Sequence, residues 1–88
     1  MTAPRLELYG SRSCPHTADL REHLEFRNEP FVEYDIETDF EAVRRLQELT
    51  RGSLAIPVLV ENGMVRTVGW QGRSCAVLRL QLQRTDKQ

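Results

Sequence analysis

Cysteine is the residue type on which the chemistry of this chain depends, and Cys14 is the stronger of two candidates. It follows an apolar run, residues 6–9, and precedes a helix-like run that begins at Pro15. Proline suits the first helical position because its missing N–H would have no partner there. A thiol at a helix start faces backbone N–H groups and the positive end of the helix dipole. The pattern predicts that Cys14 acts as a thiolate nucleophile, with a pKa below the free value of about 8.5.

The second cysteine, Cys75, is open to two interpretations. It could pack in the core with Leu78 and Leu82 at helical spacing, and this is the interpretation that we favour. It could instead act as a distant resolving cysteine for Cys14, which requires Cα atoms about 4.4–6.8 Å apart. For Cys14 itself, the alternative to a nucleophile is a buried thiol that behaves as a small hydrophobic side chain.

Composition and charge narrow the class of protein. The chain has 88 residues, 28% charged and 40% hydrophobic, with a formal net charge of -1, which fits a single domain over residues 1–88. Nucleic-acid binding is not favoured by this charge, and no apolar run approaches the roughly 18 residues of a membrane span. Cys14, His16, His23 and Cys75 match no common zinc spacing, so no metal is predicted. With no signal-peptide pattern, we expect a cytoplasmic monomer.

Apolar periodicity and turn signals predict the elements that position these residues. Strands are predicted at residues 5–9, 31–36, 56–60 and 64–68, and helices at 15–27, 39–49 and 74–83. The buried face of the second helix is predicted to comprise Phe40, Val43, Leu46 and Leu49. Asn62-Gly63 joins the last two strands as a hairpin, and the first two strands are parallel with a right-handed crossover. A mixed four-stranded sheet with helices on both faces, an α/β fold, satisfies these constraints.

The chain resembles the glutaredoxins, members of the thioredoxin-fold family, from residue 6 to about residue 82. The segments that carry the resemblance are Cys14-Pro15-His16-Thr17, Ile56-Pro57 and Gly69-Trp70, and the spacing among them matches as well as the residues. The resemblance implies a thioredoxin-like (glutaredoxin) fold and thiol–disulfide oxidoreductase activity. It also implies reduction of disulfide-containing proteins or glutathione mixed disulfides through one N-terminal active-site cysteine, Cys14. Glutathione or another small thiol would be the co-substrate, with no bound cofactor.

Roles for individual residues also follow from the resemblance. Cys14 would be the attacking cysteine, in a motif completed by Pro15, His16 and Thr17. Pro57 would follow a cis peptide bond, leaving the Ile56 backbone free to pair with a peptide or glutathione in strand fashion. Further contacts to substrate or glutathione would come from Arg12, Arg51, Gly69, Trp70 and Gln71. The alternatives are solvated surface charge for the two arginines and a role as a packing or lid residue for the tryptophan.

Two departures separate this chain from ordinary glutaredoxins. Dithiol members have Cys-Pro-Tyr-Cys, whereas Thr17 stands here at the second cysteine, so the motif contains no resolving thiol. Thr17 could donate a hydrogen bond to the Cys14 thiolate or satisfy backbone groups at the helix start. After Gly69, Gln71-Gly72-Arg73-Ser74 replaces the acidic residues of many glutaredoxins. This segment is similar to mycoredoxins and to the redoxins that serve ribonucleotide reductase.

Two alternative functions fit the same fold. One is a dimeric iron–sulfur carrier that holds a 2Fe–2S cluster through Cys14 and glutathione, although the motif is not the Cys-Gly-Phe-Ser of cluster-carrying members. The other is a non-catalytic redox-sensing or binding module. Visible absorption distinguishes the carrier, and alkylation of Cys14 across pH distinguishes the module.

Overall fold

One mixed four-stranded sheet forms the centre of the computed structural model, which describes residues 5–76. The elements are β1 (Leu6–Gly10), α1 (Pro15–Phe26), β2 (Val32–Asp35), α2 (Phe40–Thr50), β3 (Ala55–Ile56), β4 (Val58–Glu61), β5 (Met64–Val68) and β6 (Cys75–Ala76). The strand order is β2-β1-β4-β5, with β1 parallel to β2 and antiparallel to β4. β4 and β5 form the antiparallel hairpin. The predicted α/β architecture and its mixed sheet are therefore confirmed.

The two helices cover opposite faces of this sheet. Successive residues of a strand point to opposite sides, so neighbouring residues of β1 contact different helices. Leu8 of β1 belongs to a buried cluster with Leu20 and Leu24 of α1. The next residue, Tyr9, belongs to a second buried cluster with Leu46 of α2. The sheet therefore lies between a cluster under α1 and a cluster under α2, as the sequence predicted.

Specific residues mark the two ends of α2. Asp39 caps its start, since its carboxylate accepts a hydrogen bond from the Ala42 N–H at 3.1 Å. At the other end, Arg51 has a left-handed φ of 61° and Gly52 a φ of 100°. The Gly52 N–H donates to the Gln47 carbonyl at 2.8 Å, which closes the helix. The helix therefore ends at Thr50, one residue beyond its predicted end, and Arg51 is the first residue to leave helical geometry.

One predicted strand and one predicted helix differ from the structure. The run predicted as one strand, residues 56–60, is divided at Pro57 into β3 and β4, because proline has no N–H for a strand ladder. The helix predicted from residue 74 is wrong at its start, since Cys75 and Ala76 form β6 instead. Pairing with β3 and a disulfide bond hold this segment extended. The remainder of that predicted helix, residues 77–83, lies outside the described residues.

The buried face of α2 also differs at one position. Phe40 was predicted to be buried, but it is 60% exposed. It is the first residue of α2, and Ala42 is buried with Val43 and Leu46.

Between residues 5 and 76, the structure contains no helix with the length and apolarity needed to cross a bilayer.

Candidate active site

A disulfide bond joins Cys14 to Cys75 at the centre of the site. The Cα atoms lie 6.2 Å apart, although the two residues are 61 positions apart in the sequence. Cys14 is 3% exposed, and Cys75 is half-buried against the cluster that contains Tyr9. The favoured interpretation of Cys75 as a core residue on a helix is therefore wrong. Cys75 contacts the core from a strand, and its sulfur is bonded to Cys14.

β1 and the turn after it place Cys14 at the start of α1. Cys14 is the N-cap residue, with extended backbone angles of -96° and 114° and no side-chain cap hydrogen bond. Its carbonyl oxygen accepts hydrogen bonds from the N–H groups of Thr17 at 3.1 Å and Ala18 at 3.3 Å. The sulfur is therefore carried by the residue at the positive end of the α1 dipole, as the sequence predicted.

Two hydrogen bonds accepted by Ser11 fix the backbone ahead of Cys14. The Cys14 N–H donates to the Ser11 carbonyl at 3.2 Å, and the Ser13 N–H donates to Ser11 Oγ at 3.1 Å. The Ser13 hydroxyl lies 3.3 Å from one carboxylate oxygen of Glu37, in the loop between β2 and α2. Sequence reasoning missed Glu37, because no local pattern indicates a contact that spans 24 residues.

The side chain of Thr17 is buried at the end of β1. It is fully buried, and its Oγ1 accepts a hydrogen bond from the Ser11 N–H at 3.3 Å. A Cβ atom at Gly10 would overlap this side chain, so glycine leaves the space that Thr17 fills. Of the two roles considered for Thr17, the structure contains the hydrogen bond to the backbone.

The strand β6 pairs with the backbone of β3 beside the disulfide. Cys75 lies opposite Ile56 and Ala76 opposite Ala55 in an antiparallel pair. The Ile56–Pro57 peptide bond is cis, as the resemblance implied. The Ile56 backbone, which was expected to be free for a ligand, is therefore paired with the chain's own cysteine-bearing segment.

A tight turn returns the chain from β5 to β3. The Gly69 N–H donates to the Pro57 carbonyl at 2.6 Å. Trp70 and Arg73 then exchange two backbone hydrogen bonds, at 2.8 and 3.0 Å. The backbone donors of Gly69 and Trp70 are thus used within the chain, and they position Cys75 beside β3.

Left-handed backbone angles allow this turn to be so short. Gln71 and Gly72 have φ values of 54° and 78°, the signs that a type I′ turn requires. Gly69 has a φ of 84°, and a Cβ there would lie 2.8 Å from the Arg73 carbonyl oxygen. Gln71 is exposed at the tip of the turn. The residue that replaces an acidic one of the family pattern is therefore also one that must adopt a left-handed backbone conformation.

The ring of Trp70 packs toward α1. Its centroid lies 4.8 Å from that of His23, and the side chain contacts the cluster that contains Leu20 and Leu59. Trp70 and His23 are among the residues that line a groove of about 340 Å³ between α1 and the sheet. These contacts are the ones expected if Trp70 has a packing role.

Most of the other predicted site residues are on the surface. Arg12 lines a shallow cleft with Arg21 and Asp35, and Arg51 is exposed after α2. Pro15 is exposed and His16 is half-buried. Among residues 5–76, neither Arg12 nor Arg51 forms an ion pair. Their contact with glutathione stays a prediction.

An arginine connects two tyrosines on the α2 side of the site. Arg45 Nε donates to the Tyr9 hydroxyl at 3.3 Å, and its guanidinium lies 4.8 Å from the centre of the Tyr34 ring. The Tyr34 hydroxyl donates to the Glu7 carboxylate at 3.1 Å. Burial, followed by this hydrogen bond, raises the pKa of Tyr34 above its usual value. Among residues 5–76, no group of three or more His, Cys, Asp or Glu residues could hold a metal ion.

These features define a class of protein: a thioredoxin-like domain with a cysteine at the start of its first helix and a cis-proline directly after Ile56, the residue paired with Cys75. The family model for glutaredoxin matches residues 6–65. The chain therefore belongs to the glutaredoxin family, whose members are in general thiol–disulfide oxidoreductases.

Solved structures share this fold across nearly the whole chain. A point mutant of the thioredoxin-like protein BC3987 is 26% identical, with a TM-score of 0.69, and the match covers 94% of this chain and 95% of that one. The unmutated protein is 28% identical, with a TM-score of 0.68 and coverage of 90% and 96%. Glutaredoxin 1 from Francisella tularensis, complexed with cacodylate, is 15% identical and shows the fold alone, with a TM-score of 0.57 and coverage of 98% and 100%. A search of curated proteins finds no match.

Proposed function

We propose that this protein is a glutaredoxin-like thiol–disulfide oxidoreductase in which Cys14 attacks the substrate and Cys75 resolves the intermediate. Membership of the family supports the general class of activity. The Cys14–Cys75 disulfide carries the specific proposal. It brings to Cys14 the second thiol that the motif lacks at Thr17.

The first step is attack of the Cys14 thiolate on one sulfur of a substrate disulfide. A bond forms between Cys14 Sγ and that sulfur while the substrate disulfide breaks. The other substrate sulfur leaves as a thiolate and takes up a proton. The position of Cys14 at the start of α1 supports this role, because N–H groups and the helix dipole favour the thiolate.

The second step is attack of Cys75 on Cys14 Sγ. Cys75 loses its proton, the Cys14–Cys75 disulfide forms, and the substrate sulfur leaves as a second thiolate, which is protonated in turn. The protein has then given two electrons and two protons to the substrate. The product of this step is the oxidised form in which the two cysteines are bonded here.

Recycling requires an external thiol, for which we propose glutathione. Cys75 is half-buried while Cys14 is 3% exposed, so Cys75 is the more accessible end of the disulfide. Attack by glutathione on the Cys75 sulfur would release Cys14 as the leaving thiolate, and exchange is faster when the leaving thiolate is the more stable one. A second glutathione then frees Cys75. Arg12, Arg51 and Gln71 are exposed polar candidates for contact with glutathione.

The same proposal includes a monomeric, cofactor-free protein in the cytoplasm. A monomer suffices, because both sulfurs of the cycle belong to one chain. No bound cofactor takes part in either step. A cytoplasmic location fits a cycle that depends on a pool of reduced small thiol. Holding an iron–sulfur cluster through Cys14 would first require reduction of its bond to Cys75.

Mass spectrometry after brief incubation with oxidised glutathione tests the proposal. The reduced protein should lose two hydrogens and retain no glutathione, because Cys75 displaces it from Cys14. The Cys75→Ser variant should retain one glutathione on Cys14, and Cys14→Ser should react far more slowly. With reduced glutathione in excess, Cys75→Ser should still exchange disulfides, since glutathione then takes over resolution.

Two outcomes would overturn the proposal. Equal reactivity of the Cys14→Ser and Cys75→Ser variants would show that Cys14 is not the attacking residue. A stable glutathione adduct on Cys14 in the wild-type protein would show that Cys75 does not resolve it. Half-maximal alkylation of Cys14 near the free-thiol pH of about 8.5 would favour the sensing or binding module.

A further inference from the structure

Three side chains form a hydrogen-bonded series beside the turn that carries Cys14. Ser11 Oγ lies 2.9 Å from Ser13 Oγ, and the Ser13 hydroxyl donates to the two carboxylate oxygens of Glu37 at 3.4 and 3.3 Å. Ser11 is buried, Glu37 is half-buried and Ser13 is exposed. The series therefore joins the buried start of the turn to the loop between β2 and α2.

The carboxylate of Glu37 determines which hydroxyl donates to which. An ionised carboxylate only accepts hydrogen bonds, so the Ser13 proton is directed to Glu37. Ser13 Oγ then accepts the proton of the Ser11 hydroxyl, and Ser11 Oγ accepts the Ser13 N–H at 3.1 Å. Glu37 is thus the terminal acceptor of an ordered set of bonds that ends on the backbone next to Cys14.

The backbone of Glu37 is fixed independently of its side chain. The Glu37 N–H donates to Asp35 Oδ1 at 2.9 Å, and the Asp39 N–H donates to the Asp35 carbonyl at 3.0 Å. The Ile36 N–H donates to the Gly10 carbonyl at 2.9 Å, which ties this loop to the end of β1. The terminal acceptor therefore comes from a loop that is itself bonded to the strand ahead of the turn.

The direction of the Cys14 side chain depends on the turn that these bonds hold. Cys14 is the N-cap residue of α1, and its side chain makes no cap hydrogen bond. In the oxidised protein the bond to Cys75 also holds Cys14 Sγ, but that bond is absent when Cys14 attacks a substrate. The hydrogen bonds of residues 11–14 then hold the Cys14 backbone on its N-terminal side.

We propose that Glu37 is a positioning residue for Cys14, which acts through Ser13 by holding the turn from which Cys14 Sγ attacks a disulfide. This inference rests on the proposed function and adds a residue to its first step. Glu37 does not touch the substrate, and its contribution depends on an acceptor oxygen at the end of the side chain rather than on charge. Placement matters because a misplacement of about 1 Å can cost roughly a hundredfold in rate.

The test uses the reduced Cys75→Ser protein and the uncharged disulfide 4,4′-dithiodipyridine. A bond forms between Cys14 Sγ and one sulfur of the reagent while the reagent disulfide breaks. The other half leaves as a thiolate, takes up a proton and is measured by its absorbance. Rates are compared on the alkaline plateau, where Cys14 is fully ionised, so that the thiolate fraction does not enter. The substitutions, each in this background, are Ser13→Ala, Glu37→Ala, Glu37→Gln and the double variant Ser13→Ala/Glu37→Ala.

Ser13→Ala and Glu37→Ala should each slow the reaction about three- to tenfold. The double variant should be no slower than the slower single variant, because the two side chains act as one unit. Glu37→Gln loses the charge but keeps an oxygen that accepts the Ser13 proton, so it should retain at least about half of the rate.

Glu41→Ala is the matched control for loss of a negative charge near this loop. Its carboxylate lies in the first turn of α2 and accepts a hydrogen bond from Arg44 at 2.7 Å. The rate of this variant should be unchanged. Because Ser13 is exposed and Glu37 is half-buried, the alanine substitutions remove no core side chain.

Three results would each overturn the inference. Full rates in Ser13→Ala and Glu37→Ala would show that these side chains do not position Cys14. An equal loss in Glu37→Gln and Glu37→Ala would show that charge, not an acceptor oxygen, is responsible. Losses that multiply in the double variant would show that Glu37 does not act through Ser13.

The parent Cys75→Ser protein separates failure of this inference from failure of the proposed function. If its Cys14 reacts with the reagent and the substitutions leave that rate unchanged, the oxidoreductase function stands and the positioning role fails. If Cys14 of the parent does not react, the proposed function itself fails.

Discussion

The side chain of Thr17 lies against the Cα of Gly10, where β1 ends and the first turn of α1 passes over it. This contact buries the Thr17 side chain against the last residue of β1. It also explains why the Thr17 hydroxyl is directed to the Ser11 N–H, at 3.3 Å. A threonine at the place of the second motif cysteine thus supports the turn that carries Cys14.

Replacing Thr17 with valine should destabilise the protein by about 1–3 kcal/mol, because the buried Ser11 N–H would lose its acceptor. Urea unfolding of the reduced protein measures the loss. Thr17→Ser is the control that keeps the hydroxyl. The pH profile of Cys14 alkylation should be the same in wild type and Thr17→Val. A displaced profile would mean that the hydroxyl acts on the thiolate.

Arg51 offers a second test, because it ends α2 in a conformation that glycine adopts more readily. Arg51→Gly should stabilise the fold by about 1 kcal/mol, the usual cost of a left-handed side-chain-bearing residue. Arg51→Lys keeps the charge and should leave stability unchanged. If Arg51 contacts the glutathione carboxylate, the glycine variant should also show a higher KM for glutathione. An unchanged KM would exclude that contact.

Gly69 should be less replaceable than Gly72. Both have positive φ, but a Cβ at Gly69 would meet the Arg73 carbonyl oxygen at 2.8 Å, whereas Gly72 has no atom within 4 Å of that position. Gly69→Ala should therefore weaken Cys14–Cys75 disulfide formation in a glutathione buffer more than Gly72→Ala does. Each substitution also carries a backbone cost of about 1–2 kcal/mol. Equal effects would show that the close approach to Arg73 is unimportant.

Tyr34 should make stability fall at alkaline pH. Its pKa is raised in the folded protein, first by burial and then by the hydrogen bond to Glu7. The folded state therefore retains a proton that the unfolded state has lost, so this contribution is complete below the unfolded pKa of about 10 and declines above it. Urea midpoints between about pH 9 and pH 11 measure the decline. Tyr34→Phe should make it shallower, and an identical decline would contradict this assignment.

The sequence was sufficient for features that depend on local patterns. Pro15 after Cys14 predicted the start of α1, and Asn62-Gly63 predicted the hairpin. Each signal acts within a few residues, so its physical basis is visible in the sequence itself.

The features that the sequence did not reveal depend on distant contacts. Ser74 resembles a helix cap, yet Cys75 is extended, because pairing with Ile56 and bonding to Cys14 outweigh the local signal. Glu37 reaches the Cys14 turn through Ser13, across 24 residues. Leu78 and Leu82, which favoured a helix around Cys75, lie outside the described residues.

The 61 positions between the bonded cysteines give the proposed redox cycle a consequence for the stability of the fold. A cross-link closing a loop of this length restricts the unfolded chain, and the loop-entropy relation gives a stabilisation of about 4 kcal/mol. By thermodynamic linkage, a folded state that favours the disulfide is favoured by it in return. Every turnover would therefore alternate the domain between a tethered, more durable form and an untethered form that unfolds more readily.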